Sequence, residues 1–458
     1  MDGGGPRRLP AVAPVTGGVA FPHVERPLVS IVVVTYGGFD WVLPALQAVV
    51  DHTDPCYEVV VVDNASPDGT GPRLRGAVEG ATVVLNTENV GFGAGANQGA
   101  LLARGHHLFF LNSDAFVQPG WLPPLLAVLD ADPGVAVVAS RLVEPDGTLQ
   151  EAGGIVGANG YAGQLGMGAD PADPEFRFRR DVDFASGAAL LVRRREFLAV
   201  GGFHPSYVMG YFEDVDLCLD LARRGLRTVY EPASVVSHLR GASTDPEAAL
   251  RRATASHAVF VRRWAAECDR RPAIAELDRY PHRLVAARDV VAPERILVVC
   301  DGPPADPVPA LVERLAELWP RARVTLLADR ALDALLERGV ESAVPGDDAE
   351  GWFLRRRFHY PIVMVDGGAA LERFGGLLER TQPQAARVHL ARFTAGAVDV
   401  EMAAVRAAEA VICLSERAHE LVGAWAGPAG PVLGPTFTDG ALVDVLAGLG
   451  VAPPLARA

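Results

Sequence analysis

The stretch that decides the fold is Val29–Tyr36, VSIVVVTY, together with Tyr57–Ser66, YEVVVVDNAS, and the segment WVLPALQAVVDHT that lies between them. Near-continuous runs of valine and isoleucine indicate strands buried on both faces, and a helical pattern between two such runs indicates parallel pairing. The same alternation continues through ATVVLNT, ANQGALLARG and HLFFLNSD as far as Asp114. We therefore predict an α/β fold with a mostly parallel sheet flanked by helices.

Polar side chains follow three of these predicted strands. They are Thr35 with Tyr36, the turn Asp63–Ser66, and the run Asn112–Asp114. Ligands of open parallel sheets bind at the carboxyl ends of the strands, so these residues predict a site. Each also has a simpler interpretation, because Asp63 sits among residues typical of turns and Asp114 could cap the following helix.

A glycine-rich segment opens the third predicted helix. Gly91–Gly99 reads GFGAGANQG, and its backbone could approach phosphate groups at a helix N-terminus. The spacing is not GxGxxG, and no acidic residue follows at the distance typical of dinucleotide-binding folds. A dinucleotide site is therefore disfavoured.

Composition excludes several other classes of function. The net charge of the 458-residue chain is −14, which argues against nucleic acid as a partner. All 42 basic side chains are arginine, so lysine-dependent phosphate loops and Schiff-base chemistry are excluded. The five cysteines form no CxxC pair, which favours a reducing, cytoplasmic setting. No apolar run approaches the roughly 18 residues of a membrane span, so any membrane contact would be peripheral.

The chain is long enough for more than one domain. Residues 1–26 are rich in glycine and proline and predict a flexible arm, and residues 27–250 form the domain described above. A helical connector is predicted over 251–292. The β-α alternation restarts at RILVVCDG, so residues 293–458 predict a second, smaller Rossmann-like domain.

An acidic cluster stands out between the first domain's last predicted strands. Glu213, Asp214 and Asp216 follow Tyr211 and Phe212 and begin a short amphipathic helix. Acids in a first helical turn are common because the helix dipole favours negative charge there. Aromatic neighbours can also raise the pKa of a carboxyl group toward that of a useful base. Both interpretations stay open on the residues alone.

Six segments in order carry a family resemblance: SIVVVTYGG, VVVDNASPDGT, NVGFGAGANQG, FFLNSDAFVQPGWL, FASGAALLVRRREFLAVGGF and GYFEDVDLCLDLARRGLRTVYEPASVVSH. From about Pro27 to Trp264 the chain resembles the family 2 inverting glycosyltransferases of GT-A fold, especially the rhamnosyltransferase-like branch. The resemblance implies transfer of a sugar from a nucleotide-diphosphate donor, with dTDP-rhamnose as one candidate. It implies a hydroxyl acceptor on a glycan, a polyprenyl-linked molecule or a small metabolite. Membrane association and homo-oligomerisation are compatible with it.

For the donor, the resemblance implies that Thr35, Tyr36 and Asp63 hold the nucleobase and ribose and that Asn97 helps to order the site. Asn112, Ser113 and Asp114 stand where the family has its metal-binding DxD motif, so Asp114 is the expected ligand of Mg²⁺ or Mn²⁺. Asn112 departs from the motif and leaves one carboxylate, which weakens the expected metal site. His238 matches a histidine that adds a metal contact in related enzymes.

For the acceptor, the resemblance implies that Asp214 is the general base and that Glu213 orients it or binds acceptor hydroxyls. Ser186 and Gly187 fall in the segment expected to line the acceptor side. Arg251 or Arg252 is the expected phosphate contact, although a solvated arginine face is the simpler interpretation for either residue.

Two alternatives complete the sequence interpretation. The replacement by Asn112 also fits a catalytically weak nucleotide-sugar-binding scaffold or sensor. In the second domain, AAEAVICLSERAHELVG weakly resembles the end of the N-terminal half of GT-B glycosyltransferases. Since such enzymes bind their donor in the other half, we expect no independent catalysis from this domain.

Overall fold

The structure is a computed structural model that describes residues 15, 17–240, 246–271, 288, 294–304, 306–319, 322–344, 348–356, 359–391, 404–414, 418–420, 422, 431–436 and 438–449. Most of the predicted arm lies outside these residues, as do residues 272–287 and 289–292 of the predicted connector. The chain divides into two compact units. The N-terminal unit comprises Met1–Phe176 and Arg180–Ala275, and the C-terminal unit comprises Arg177–Arg179 and Glu276–Ala458. The predicted domain boundaries stay predictions.

The N-terminal unit alternates strands and helices as its valine-rich runs predict. Its strands are β1 (Val19–Ala20), β2 (Val29–Thr35), β3 (Tyr57–Asp63), β4 (Val78–Glu79), β5 (Thr82–Leu85), β6 (His107–Asn112), β7 (Ala115–Val117), β8 (Val135–Val143), β9 (Leu149–Glu151), β10 (Gly154–Val156), β11 (Ala162–Gln164), β12 (Arg180–Val182), β13 (Ala189–Arg193) and β14 (Arg227–His238). Its helices are α1 (Phe39–His52), α2 (Thr70–Ala77), α3 (Phe92–Leu102), α4 (Leu122–Ala131), α5 (Arg194–Ala199), α6 (Glu213–Arg223) and α7 (Pro246–Cys268), with one 3-10 turn at Pro174–Phe176.

One large sheet organises this unit. Its strand order is β12-β14-β8-β13-β6-β2-β3-β5, with β7 added to β14 and β9 added to β8. The strands β6, β2, β3 and β5 pair in parallel, whereas β13 runs antiparallel to both of its neighbours. Every residue of β2 is buried, because helices cover both faces of the parallel part. The mostly parallel α/β sheet confirms the predicted fold class.

The strand register brings the predicted polar residues to one edge. Thr35 at the end of β2 pairs with Asp63 at the end of β3, and Val34 pairs with Asn112 at the end of β6. These three strand ends therefore lie side by side. The residues that directly follow them, including Tyr36 and Asp114, begin the loops at this edge.

The C-terminal unit has its own sheet. The strands are β15 (Arg295–Cys300), β16 (Arg323–Leu327), β17 (Glu341–Ala343), β18 (Ile362–Asp366), β19 (Ala386–Ala391), β20 (Ala410–Cys413) and β21 (Val432–Leu433). The helices are α8 (Val308–Leu318), α9 (Asp333–Glu337), α10 (Ala349–Arg355), α11 (Gly367–Thr381) and α12 (Asp439–Gly448). All seven strands pair in parallel in the order β17-β16-β15-β18-β19-β20-β21, which confirms the predicted Rossmann-like second unit.

No helix in the described part of the chain is both long enough and apolar enough to cross a bilayer.

Candidate functional site

A cavity of about 930 Å³ opens at the carboxyl edge of the N-terminal sheet. Residues predicted for opposite sides of a reaction line this same cavity. They are Thr35, Tyr36, Asn112, Ser113, Asp114, Glu213, Asp214 and His238, and the segment Ser186–Gly187 lies with them. The structure thus brings eight of the predicted site residues together.

Asp214 is held on the cavity wall by backbone amides. One carboxylate oxygen, Oδ2, accepts a hydrogen bond from the Gly187 N–H at 2.8 Å, and Oδ1 accepts one from the Val215 N–H at 2.8 Å. Burial raises the pKa of Asp214, while these two amides oppose the rise by stabilising the anion. Its position in the first turn of α6 adds the favourable helix dipole. Asp214 is therefore a fixed carboxylate with its basicity increased.

Glu213 is the neighbouring residue, and fewer hydrogen bonds offset the burial of its carboxyl group. Its side chain is buried, and Oε2 has no hydrogen-bond partner among the described residues. Burial, and then the charge of Asp214, raise the pKa of Glu213 well above its ordinary value. The Glu213 carboxyl group is therefore harder to ionise than that of an exposed glutamate.

A strained turn aims this pair of acids. Tyr211 and Phe212 both have left-handed backbone angles, with φ of 68° and 70°. Such conformations cost about 1–3 kcal/mol each outside glycine and are concentrated at functional sites. The preceding loop also packs closely on Gly91, where a Cβ atom would clash with the carbonyl oxygen of Val208. These contacts fix where α6 begins and hence where Glu213 and Asp214 point.

Asp216, the third acid of this turn, has a different environment. It accepts hydrogen bonds from the Tyr207 hydroxyl at 2.9 Å and from Trp264 Nε1 at 2.6 Å, and it forms an ion pair with Arg263. Asp216 is buried among these groups and does not line the cavity. It therefore stabilises the packing of α6 against α7.

In the same cavity, Asp114 faces His238. Asp114 Oδ1 lies 3.2 Å from His238 Nε2, which also lies 3.2 Å from the amide nitrogen of Asn112. Gln150 contacts the other ring nitrogen, Nδ1, with its Nε2 at 3.1 Å and its Oε1 at 3.2 Å. If Nδ1–H donates to that oxygen, Nε2 keeps its lone pair and faces the Asp114 carboxylate as a second acceptor. Two acceptors at this separation suit a shared cation.

Three predicted residues are directed elsewhere. The carboxylate of Asp63 accepts from the Ser66 hydroxyl and from the Ser66 N–H, so it shapes its own turn. The side chain of Asn97 bridges the N–H and carbonyl oxygen of Phe203 at 2.9 and 2.8 Å. Arg251 pairs with Glu247 in a largely exposed contact, whereas its neighbour Arg252 lines the cavity. Among the described residues, the cavity lining includes none of Asp63, Asn97 and Arg251.

The sequence interpretation missed the neighbours that β9 contributes. Gln150 and Glu151 are both buried and both line the cavity. Burial, and then the charge of Asp214, raise the pKa of Glu151 to about 7. No local pattern marks a three-residue strand as part of a site, although a Gln-Glu pair in an apolar context was a weak signal.

Residues 30–181, which contain β2 to β8 and the strand ends, match the family model described as glycosyl transferase family 2. The chain carries a family 2 glycosyltransferase domain. The match confirms the resemblance to family 2 glycosyltransferases noted above. The weaker resemblance of the second unit to GT-B enzymes stays a prediction, and part of its segment lies outside the described residues.

Three relatives show how far the family 2 glycosyltransferase likeness extends. Protein y4gI of Sinorhizobium fredii is 29% identical over 50% of this chain, and the O-antigen biosynthesis protein RfbC of Myxococcus xanthus is 32% identical over 52%. This chain spans only 26% and 19% of the lengths of those two proteins. The N-acetylglucosaminyl-diphospho-decaprenol L-rhamnosyltransferase of Mycobacterium tuberculosis is 27% identical over 49% of this chain and 80% of its own length.

Proposed function

We propose that this chain transfers a sugar from a nucleotide-diphosphate donor to an acceptor hydroxyl, with inversion at the anomeric carbon. The observation that carries the proposal is a single cavity that is lined both by Asp214 and by the facing pair Asp114 and His238. Asp214 would act as the base for an incoming hydroxyl. Asp114 and His238 would hold a cation that neutralises the charge developing on the leaving diphosphate.

The donor belongs at the strand ends. Tyr36 is 44% exposed and is available to contact a nucleobase, while the Thr35 hydroxyl is engaged with the Gly37 carbonyl oxygen at 2.9 Å. Arg252 lines the same cavity and would contact a phosphate group. Asp63 supports this proposal only indirectly, by shaping the turn beside Thr35.

A divalent cation fits the facing pair Asp114 and His238. Neighbouring ligands of an octahedral ion with bonds of about 2.1 Å stand about 3 Å apart, and the two atoms here are 3.2 Å apart. The described residues contain no group of three or more His, Cys, Asp and Glu side chains that is arranged to hold a metal ion, so water and phosphate oxygens would complete the shell. When bound, Mg²⁺ or Mn²⁺ would neutralise the departing diphosphate. Imidazole ligation favours manganese over magnesium.

The acceptor side follows from the carboxyl groups. The Asp214 carboxylate takes the proton of the hydroxyl as its oxygen bonds to the anomeric carbon, and the nucleoside diphosphate leaves with the bonding electrons. A single displacement of this kind inverts the configuration and needs no covalent sugar-enzyme intermediate. Glu213 lines the same cavity and would orient Asp214 or bind the acceptor hydroxyls. The relatives' names make dTDP-L-rhamnose and a polyprenyl-linked acceptor the first substrates to test.

The deciding experiment is a screen of dTDP-L-rhamnose, UDP-N-acetylglucosamine and GDP-mannose, each with MnCl₂, MgCl₂ or EDTA. We expect one donor to raise the melting temperature in the presence of metal and to release nucleoside diphosphate slowly. Asp114→Asn should lose the metal-dependent stabilisation, whereas Asp146→Asn, at an exposed turn, serves as the matched control. Tight nucleotide binding without metal dependence or turnover would favour the scaffold alternative. Failure of every donor to bind would refute the proposal.

A further inference from the structure

Strand β9 adds a buried carboxyl group, that of Glu151, to the cavity that Glu213 and Asp214 line. Glu151 is 0% exposed and lines the cavity. Its Oε1 accepts a hydrogen bond from the Ser186 N–H at 3.2 Å, and its Oε2 accepts one from the Gln164 side chain at 3.0 Å. Glu151 is thus anchored from two different segments.

The turn Ser186–Gly187 connects this group to the proposed base. The Ser186 N–H donates to Glu151, and the very next amide, the Gly187 N–H, donates to Asp214. Successive amides of one turn are only a few ångströms apart, about one residue's length of chain. Glu151 and Asp214 are therefore immediate neighbours, held by one rigid piece of backbone.

The charged surroundings of Glu151 are simple. The groups that interact with it electrostatically are Asp214 and Cys218 of α6 and Tyr230 of β14. Burial raises the pKa of both the Cys218 thiol and the Tyr230 hydroxyl to about 12, so both are neutral in the physiological range. Within the described part of the chain, neither Glu151 nor Asp214 forms an ion pair. Two neighbouring carboxyl groups, one buried and one half-buried, with no arginine paired to either of them, resist double ionisation.

Building on the proposed function, we propose that Glu151 is a positioning residue that retains its proton beside the ionised Asp214, so that one negative charge faces the acceptor hydroxyl. The negative charge then resides on Asp214, because two backbone amides donate hydrogen bonds to it and it lies at the N-terminus of α6. Asp214 therefore acts as the base. During transfer Asp214 takes the hydroxyl proton, and Glu151 keeps its own. Loss of that proton at higher pH would place a second negative charge in the cavity and repel the anionic donor.

The test is the pH dependence of kcat/KM for the donor found in the screen, in the full-length chain. Between about pH 5 and pH 9 the wild type should show a decline above about pH 7 that approaches ten-fold per pH unit. In Glu151→Gln this decline should disappear. The exposed Glu79→Gln is the matched control and should keep it.

A second readout does not depend on transfer. Infrared difference spectra across the same pH range should show the carbonyl band of a protonated carboxylic acid that is lost near pH 7 in the wild type and is absent in Glu151→Gln. Gln164→Ala provides a variant that retains the carboxyl group. Removing a donor to the ionised form should move both the band and the decline in kcat/KM to higher pH.

The outcomes separate the two proposals. If no donor is turned over, the proposed function fails, while the infrared band still reports the state of Glu151. If transfer occurs but Glu151→Gln and Gln164→Ala leave the decline and the band in place, Glu151 does not act on this site. If Glu151→Gln removed the rise of kcat/KM on the acidic side of the pH profile, Glu151 itself would be the base. That result would also overturn the assignment.

Discussion

Both sheets of this chain carry acids near their strands, but the two units treat those acids differently. In the C-terminal unit, Arg373 bridges Asp301 and Asp329 at 2.8 and 3.3 Å, just after β15 and β16. Buried Glu341 at the start of β17 is paired with Arg288 and Arg356. In the N-terminal cavity, Glu151 and Glu213 are buried and Asp214 is half-buried, and among the described residues none of them has an arginine partner.

The difference separates structural from functional acids. An arginine beside a buried carboxylate compensates its negative charge, so the carboxylate is less suited to take up a proton. A buried carboxyl group without one resists ionisation, and its raised pKa brings proton transfer into the physiological range. Asp216 lies in the same helical turn, but Arg263, Tyr207 and Trp264 contact its Oδ1 and oppose the rise in pKa that its burial causes. The following predictions test this distinction.

The largest effect is expected from Asp214→Asn. The variant keeps the shape of the side chain but cannot accept the acceptor's proton, so transfer should fall by about 10²- to 10⁴-fold. Nucleotide-sugar binding should survive, as measured by calorimetry. The matched variant Asp216→Asn should instead lower the free energy of unfolding by about 1–3 kcal/mol. Normal turnover by Asp214→Asn would end its assignment as the base.

In the C-terminal unit, Glu341→Gln should destabilise rather than inactivate. It removes the shared negative charge of two buried arginines, Arg288 and Arg356, and such losses cost about 3–5 kcal/mol. Scanning calorimetry should show a lower melting temperature for the transition of this unit. The exposed Glu337→Gln is the control. Equal melting temperatures for the two variants would contradict the pairing argument.

Glu213→Gln should change how stability depends on pH. Because the pKa of folded Glu213 lies above its ordinary value of 4.5, the wild type loses stability as pH rises above 4.5. The loss amounts to about 1.4 kcal/mol per pH unit until the folded pKa is reached. The neutral glutamine removes this loss, so its advantage in urea unfolding should grow with pH. An advantage that is constant from acidic to neutral pH would show that Glu213 has an ordinary pKa.

The smallest effect distinguishes two neighbours on α7. Arg252→Ala should weaken nucleoside diphosphate binding by about ten-fold, since a charge-assisted hydrogen bond contributes about 1.5–3 kcal/mol. Arg251→Ala removes an exposed pair with Glu247, worth about 0–1 kcal/mol, and should change the Kd much less. Titration calorimetry with dTDP and UDP measures both. The reverse order would restore Arg251 as the phosphate contact.

Much of the fold could be predicted from local sequence pattern. The valine runs predicted the strands β2 and β3, and the acids of the first turn predicted the start of α6 at Glu213. The polar strand ends predicted the edge where the cavity opens. Asp63 was predicted to hold the donor and Asn97 to order its site; neither lines the cavity, and both roles stay predictions. Their side chains found backbone and hydroxyl partners nearby.

Glu151 shows why the rest could not be predicted. Its anchors, Ser186 and Gln164, and its charged neighbour Asp214 lie 35, 13 and 63 residues away in the chain. No periodicity within β9 encodes those distances. The same holds for His238, whose partners Asn112 and Gln150 come from two other strands.

The sequence by itself determined the two parallel sheets and the edge of the first that carries polar groups, because burial of a strand imposes a periodicity that each short segment displays. Only the tertiary structure decided which acids are paired with arginine and which are not. Desolvation, hydrogen bonding and the interaction of charges depend on all neighbours in space, and those neighbours come from distant segments. The chemistry of Asp214 and Glu151 is therefore a property of the folded chain.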